Sequence, residues 1–271
     1  MPAITTALPL ARRGFLFAGG AAALALAGCA SPAAAPAKEL RVITSGGFSA
    51  AYDQLVPLYE QATGVRVVTA RGASMGTAQD AIPVRLARGE RFDIVILAGD
   101  ALDALIAQGA VARGSRVDFA RSTIGASVKK GTPKPDISTV AGLRQALLNA
   151  KSVAYSASAS GTYISTEMFK RLGVEEQMKT KARRIFSERV GAVVARGDAE
   201  LGFQQVSELL PFKELDFIGP IPDELQQTIF FSGGVTVNSA NAEAARHLMQ
   251  FMASKAAASI VASTGMEPVA R

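Results

Sequence analysis

Short apolar runs alternate along the chain with segments whose apolar positions recur every three to four residues, and this alternation starts just after Lys38. LRVIT (40–44) reads as a strand, 48–62 as a helix, VRVVTA (65–70) as a strand and 77–88 as a second helix. FDIVIL (92–97) carries no charge after Asp93, as expected of a strand covered on both faces, and ALDALIAQG follows as a short helix closed by Gly109. Strands separated by helices predict three parallel strands. From 115 to 136 (SRVDFARSTIGASVKKGTPKPD) the helical period disappears, β-branched residues take over and a Pro-rich turn ends the stretch, which predicts one crossover strand. A second series follows: a helix at 138–149, a strand at 151–156, helices at 162–172 and 188–197, and strands at 200–205 and 215–219. TIFFSGGVTVN (228–238) is extended again, and helices at 241–254 and 256–263 finish the chain.

A chain that builds half of one α/β unit, crosses to a second, and returns to complete the first predicts an α/β fold of two lobes with a ligand cleft between them. Lobe 1 is expected to comprise 39–122 plus 232–271, and lobe 2 to comprise 123–231. In open α/β sheets the binding crevice lies beyond the carboxyl ends of the strands, where loops lead into helix N-termini.

The first 28 residues change this picture, because ARRGFLFAGGAAALALAGC has paired arginines (Arg12, Arg13), a short apolar run and a small-residue exit. That pattern predicts an export signal over 1–28. The RRGFL order resembles a twin-arginine signal, and Leu26-Ala27-Gly28-Cys29 resembles a lipobox in which Cys29 would carry a lipid anchor. Fifteen apolar and small residues, 14–28, fall short of the roughly 20 a membrane-spanning helix needs. Residues 29–38, with SPAAAPA, have tether composition. The expected location is therefore the periplasm or cell envelope. Cys29 is the sole cysteine, so the mature domain can form no internal disulfide and must rest on burial.

The net charge of +6 falls to +4 once Arg12 and Arg13 are removed with the signal. The positive charges are scattered and not interleaved with aromatics, which argues against nucleic acid and suits a small anionic ligand. One histidine and one cysteine cannot supply a zinc site, and no Walker loop or dinucleotide fingerprint follows a strand, so neither metal nor cofactor is expected.

Three strand-to-helix loops share one composition: Ser45-Gly46-Gly47; Arg71-Gly72-Ala73-Ser74-Met75-Gly76; and 156–162, which contains Ser158, Ser160, Gly161 and Thr162. Glycine turns backbone N–H groups toward a ligand, hydroxyls add donors, and the next helix presents its positive dipole end. Together they predict an anion cradle. Gly72–Gly76 also fits the G-x-S-x-G pattern of a hydrolase nucleophile, and Ser74, Asp216 or Asp223, and His247 fall in the Ser, Asp, His chain order of α/β-hydrolases. Only two strands precede Ser74, however, and His247 lies inside a helix pattern (NAEAARHLMQFMAS) rather than on a loop that could reach a nucleophile.

Over essentially its whole mature length the chain resembles the molybdate-binding branch of the type II periplasmic solute-binding proteins. The likeness is carried by the first Gly-Ser loop, GASMGTAQDAIPVRLARGERFDIVIL, SVAYSASASGTYIST and SERVGAVVARGDAELGFQQVSEL. It implies two lobes closing on an oxyanion, held by hydroxyls and backbone N–H groups, for uptake through ABC-importer membrane subunits, and a monomer. Ser74 matches the second-loop serine, 158–162 the third contact region, and Val190 the backbone donor at a helix start. Gly47, with Ser45 beside it, stands where the family has a serine, and Gln205 where a tyrosine contacts molybdate, so molybdate itself is not assigned. The SGGF and GASMG variants also resemble the small group of solute-binding-fold proteins that includes an aconitate isomerase. On that alternative Arg71, Arg85 and Arg189 are candidates to pair carboxylates, and Glu188, Glu208 and Tyr163 are candidates for the base of an allylic proton shift.

Overall fold

A computed structural model of the protein describes residues 39–186 and 188–269. The expected export signal, the lipobox with Cys29 and the tether lie outside the described residues. The chain starts with β1 (Glu39–Thr44), α1 (Gly46–Thr63), β2 (Arg66–Arg71), α2 (Ile82–Ala87), β3 (Ile94–Ala98) and α3 (Gly99–Ala107). β1 pairs in parallel with both β2 and β3, as the alternation predicts. Every residue of β3 is buried, which is why its sequence is a continuous apolar run. The helix expected over 77–88 is shorter. Pro83 fixes its own φ and lacks an N–H, which suits a first helical turn, and α2 starts at Ile82. Residues 72–81 are left as an irregular loop, with Gly76 at φ 105°.

The stretch expected to be one crossover strand forms two, β4 (Val117–Ser122) and β5 (Ile124–Lys129), separated by Thr123 alone. They enter different sheets. Next come α4 (Val140–Asn149), capped by the Thr139 hydroxyl on Gly142 N–H, then β6 (Val153–Ser156) and α5 (Ala159–Tyr163). α5 runs through a π-helical turn (Ile164–Met168) into α6 (Phe169–Arg171). α7 (Glu175–Lys181) and β7 (Ala182–Ile185) have no counterpart in the periodicity, because β7 is an edge strand whose Arg183 and Arg184 face solvent. The remainder is α8 (Val190–Arg196), β8 (Leu201–Gln205), α9 (Val206–Leu209), β9 (Leu215–Pro220), β10 (Ile229–Val235), α10 (Ala242–Met252), α11 (Lys255–Ser263) and β11 (Glu267–Pro268).

The first sheet has the order β11-β4-β10-β3-β1-β2 and the second β7-β6-β8-β5-β9. β10 belongs wholly to the first sheet, so the return crossing precedes Ile229. Successive β3 residues feed opposite faces: Ile94 and Ile96 join Phe48, Tyr52 and Leu55 of α1 and Leu248 and Met252 of α10, while Val95 and Leu97 join Leu102 and Leu105 of α3. The second sheet has its own apolar clusters, one around Phe203, Leu147 and Met168 and one around Ala154, Val190 and Val194. Two sheets with separate cores make the two-lobed α/β fold, with the cleft at the carboxyl ends of β1, β2, β6 and β8.

Candidate functional site

A cavity of about 300 Å³ opens where the loops after β1 and β2 face those after β6 and β8. It is lined by Ser45, Gly46, Gly47, Arg71 and Ser74 from one lobe and by Ser158, Ser160, Arg189, Gln205 and Glu208 from the other, so the structure gathers most of the candidate residues. Glu188 lies at its edge. Met75, Gly161, Thr162, Val190 and Tyr163 are not among its lining residues. Met75 packs on the α3-side core, and Gly161 lies against the Ser156 carbonyl, where a side chain would not fit. The Thr162 hydroxyl donates to Ser158 O at 3.0 Å. Val190 N–H, expected to face a ligand, donates instead to Gln204 Oε1 at 3.1 Å. Tyr163 donates its hydroxyl to Leu225 O at 2.7 Å and is held by Arg171. The lining residues Ser49, Asp53 and Gln204 were not expected; the signal for Ser49 was its position one helical turn beyond Ser45, on the same face of α1.

Ser74 is buried, and its oxygen accepts the Ala98 N–H at 3.0 Å, which leaves its own proton to donate into the cavity. Ser74 N–H donates to Ser158 Oγ across the cleft at 3.2 Å, joining the lobes in a closed arrangement. A nucleophilic Ser74 lacks its base: His247 sits on α10 with Nδ1 3.1 Å from the Tyr59 hydroxyl of α1, and it does not line the cavity. Asp216 accepts from Gly131 N–H and pairs with Lys134. The five-residue motif is therefore a wall of the cleft. Among the described residues no group of His, Cys, Asp and Glu is gathered as metal ligands, and no helix is long and apolar enough to cross a membrane.

The cationic side chains divide by partner. Arg71 pairs with Asp53, donates to Ser49 Oγ at 2.8 Å and lies over the Tyr52 ring, so it is held rigid at the rim with part of its charge offset. Arg85 is not a cleft residue: it pairs with Glu90, donates to Arg71 O and stacks on Phe92. The Arg189 guanidinium, in the lining, has no hydrogen bond or ion pair with a described residue, which leaves its donors free for a ligand, with Glu208 the carboxyl its charge acts on. Buried beside it are polar atoms without partners, both ends of the Gln205 amide and the Ser45 hydroxyl. Such atoms cost about 1–3 kcal/mol each when left unpaired, so their presence at the cavity wall points to a ligand that pairs them.

The acids divide in the same way. Glu188 forms a two-pronged pair with Arg196 at 2.8 and 3.0 Å, which holds its carboxyl below the usual range and leaves it no basicity to spare. Glu208 has no ion pair among the described residues. Loss of solvent raises its carboxyl to about 7, with the Arg189 charge and the hydrogen bond from Gln204 Nε2 at 2.9 Å pulling the other way. Glu208 is part-buried and its accessible surface lies in the cleft wall, where protein atoms replace most of its hydration. A carboxyl poised near neutrality can take up and return a proton within the cavity.

A profile of the bacterial extracellular solute-binding proteins matches residues 40–267. An aconitate isomerase from Pseudomonas sp is 47% identical over 247 residues, spanning 91% of this chain and 94% of that protein. Among solved structures, the periplasmic molybdate-binding protein of Azotobacter vinelandii is 22% identical with a TM-score of 0.68, covering 84% of this chain and 98% of its own. The sulfate-binding protein SubI of Mycobacterium tuberculosis H37Rv is 18% identical with a TM-score of 0.69, covering 86% and 87%. At these identities the structural likeness is one of fold.

Proposed function

This chain belongs to the bacterial extracellular solute-binding protein family, and on that footing we propose that it is an enzyme, interconverting cis- and trans-aconitate in the cleft between its lobes. The observation that carries the reading is Glu208, a carboxyl in the cavity wall with no ion pair among the described residues and its pKa raised to about 7. Arg189 and Arg71 would hold substrate carboxylates, while Ser45, Ser74, Ser158 and Gln205 supply hydrogen bonds. Glu208 then removes a proton from the substrate methylene. The electron pair forms the new double bond to the central carbon, the old double bond opens, and its far carbon takes up a proton. The reaction conserves atoms and charge, and needs no cofactor. The relative that carries the name aconitate isomerase supports this substrate.

The second reading is a binder that closes on a small anion and delivers it to ABC-importer membrane subunits. It is favoured by the hydroxyl-lined cleft and by the bond between Ser74 and Ser158 that joins the lobes. On either reading we place the protein, as a monomer, at the cell envelope, with Cys29 as the site of a lipid anchor.

Incubating purified protein with cis-aconitate and following the trans isomer by chromatography tests the proposal. Turnover is expected, with loss in Glu208→Gln. Wild-type protein with no turnover above background would leave the binder, and a thermal-shift panel of molybdate, sulfate, citrate and both aconitates would then identify its anion.

A further inference from the structure

The two glycines that open α1 are present for different reasons. Neither has a positive φ, so backbone conformation does not demand glycine at either position. A Cβ on Gly47 would run into the Phe231 ring of its own lobe. A Cβ on Gly46 would instead overlap Oε1 of Glu208 and stand 3.0 Å from its carboxyl carbon, a group that reaches over from the other lobe.

We propose that Gly46 is a positioning residue for Glu208: the missing side chain at the first residue of α1 is the space in which the carboxyl of the opposite lobe lies when the cleft is closed. Because the role is assigned through Glu208, the inference rests on the isomerase reading. The surrounding bonds leave the carboxyl little choice of place. Ser207 donates its hydroxyl to Gly47 O at 2.6 Å, fixing the first turn of α9 against the start of α1. Gln204 cannot swing away, since its Oε1 accepts Val190 N–H while its Nε2 donates to Glu208 Oε1 at 2.9 Å. Val206 and Leu210 seat the rest of α9 beside Gly265 of the first lobe. A methyl at 46 therefore has to displace the carboxyl or open the cleft, and either outcome moves the base off the reacting carbon.

The test has two arms. In the kinetic arm, Gly46→Ala lowers kcat by about 100-fold with KM within about threefold, the loss expected when a general base is misplaced but carboxylate binding is kept. Glu208→Asp draws the carboxyl back by one methylene, so Gly46→Ala/Glu208→Asp turns over at least about tenfold faster than the product of the single effects predicts. In the stability arm, helix propensity alone makes Ala better than Gly. Gly46→Ala accordingly lowers Tm in the otherwise wild-type protein but raises it by about 1–2 °C in a Glu208→Ala background, where the space is vacant. Additive effects in both arms, or Gly46→Ala with wild-type kcat and Tm, overturn the inference. If wild-type protein turns over no aconitate, the isomerase reading fails, and the stability arm still decides whether Gly46 makes room for Glu208.

Discussion

Replacing Glu208 with glutamine removes an ionisable group while keeping its shape and its acceptor for the Gln204 amide, so the variant isolates the charge. The carboxyl is moved from an ordinary 4.5 to about 7 by burial. A pKa raised in the folded state means that folding favours the protonated form. The stability this contributes is complete below pH 4.5 and is lost as the pH rises through 7. At 1.36 kcal/mol per pH unit, the ionised form carries a penalty of about 3 kcal/mol. With an unfolding entropy of about 2.1 cal/mol/K per residue, this corresponds to about 6 °C in Tm for a domain of this length. The assay is thermal denaturation of wild type and Glu208→Gln from pH 4 to 8.5. Their Tm values should agree within a degree or two near pH 4, then diverge through pH 5–7, with the variant the more stable at pH 8. All other titrations cancel in the difference. Parallel curves across the range would refute the argument, because they would mean Glu208 ionises in the folded protein as easily as in the unfolded chain. In turnover the same group gives an acid limb in kcat/KM with its midpoint near 7, and Glu208→Gln should lower kcat by about 10²–10⁴-fold.

Three other outcomes follow from the same geometry. Arg189→Met should raise KM for a polycarboxylate by about 10–100-fold, and in steady-state pH profiles it should move the acid limb upward, because the Arg189 charge lowers the Glu208 pKa. Gln205→Leu should stabilise the ligand-free protein by about 1 kcal/mol, since both ends of its amide are buried unpaired, while calorimetry shows ligand affinity weakened by about tenfold. His247→Phe should leave aconitate turnover unchanged and cost about 1 kcal/mol in denaturant unfolding through the lost Tyr59 bond; a collapse of activity would restore histidine to the chemistry.

The three parallel strands that open the first lobe were legible because their signals are local. β3 is apolar throughout since it is buried on both faces, and α1 shows a clean period since one side packs on the sheet. The three small-residue loops were legible for the same reason, each being a short run at the end of a strand. β7 was not, because an edge strand with Arg183 and Arg184 in solvent has no apolar pattern to find. Nor could the break at Thr123 be read, since β4 and β5 have one composition and part only because each pairs with a different sheet.

At the site the division has one physical cause. Sequence determines which groups are available: hydroxyls, glycines, three candidate arginines and several acids in or near the loop segments. It does not determine solvation or pairing, and these set the chemistry. Glu188 and Glu208 are the same residue type, yet Arg196 reaches Glu188 and holds its charge, while Glu208 is carried across the cleft against Gly46, desolvated and with no counterion bonded to it. Only the closed tertiary structure makes that distinction, and only there does Gly46, 162 residues away in the chain, become the neighbour that leaves room for it.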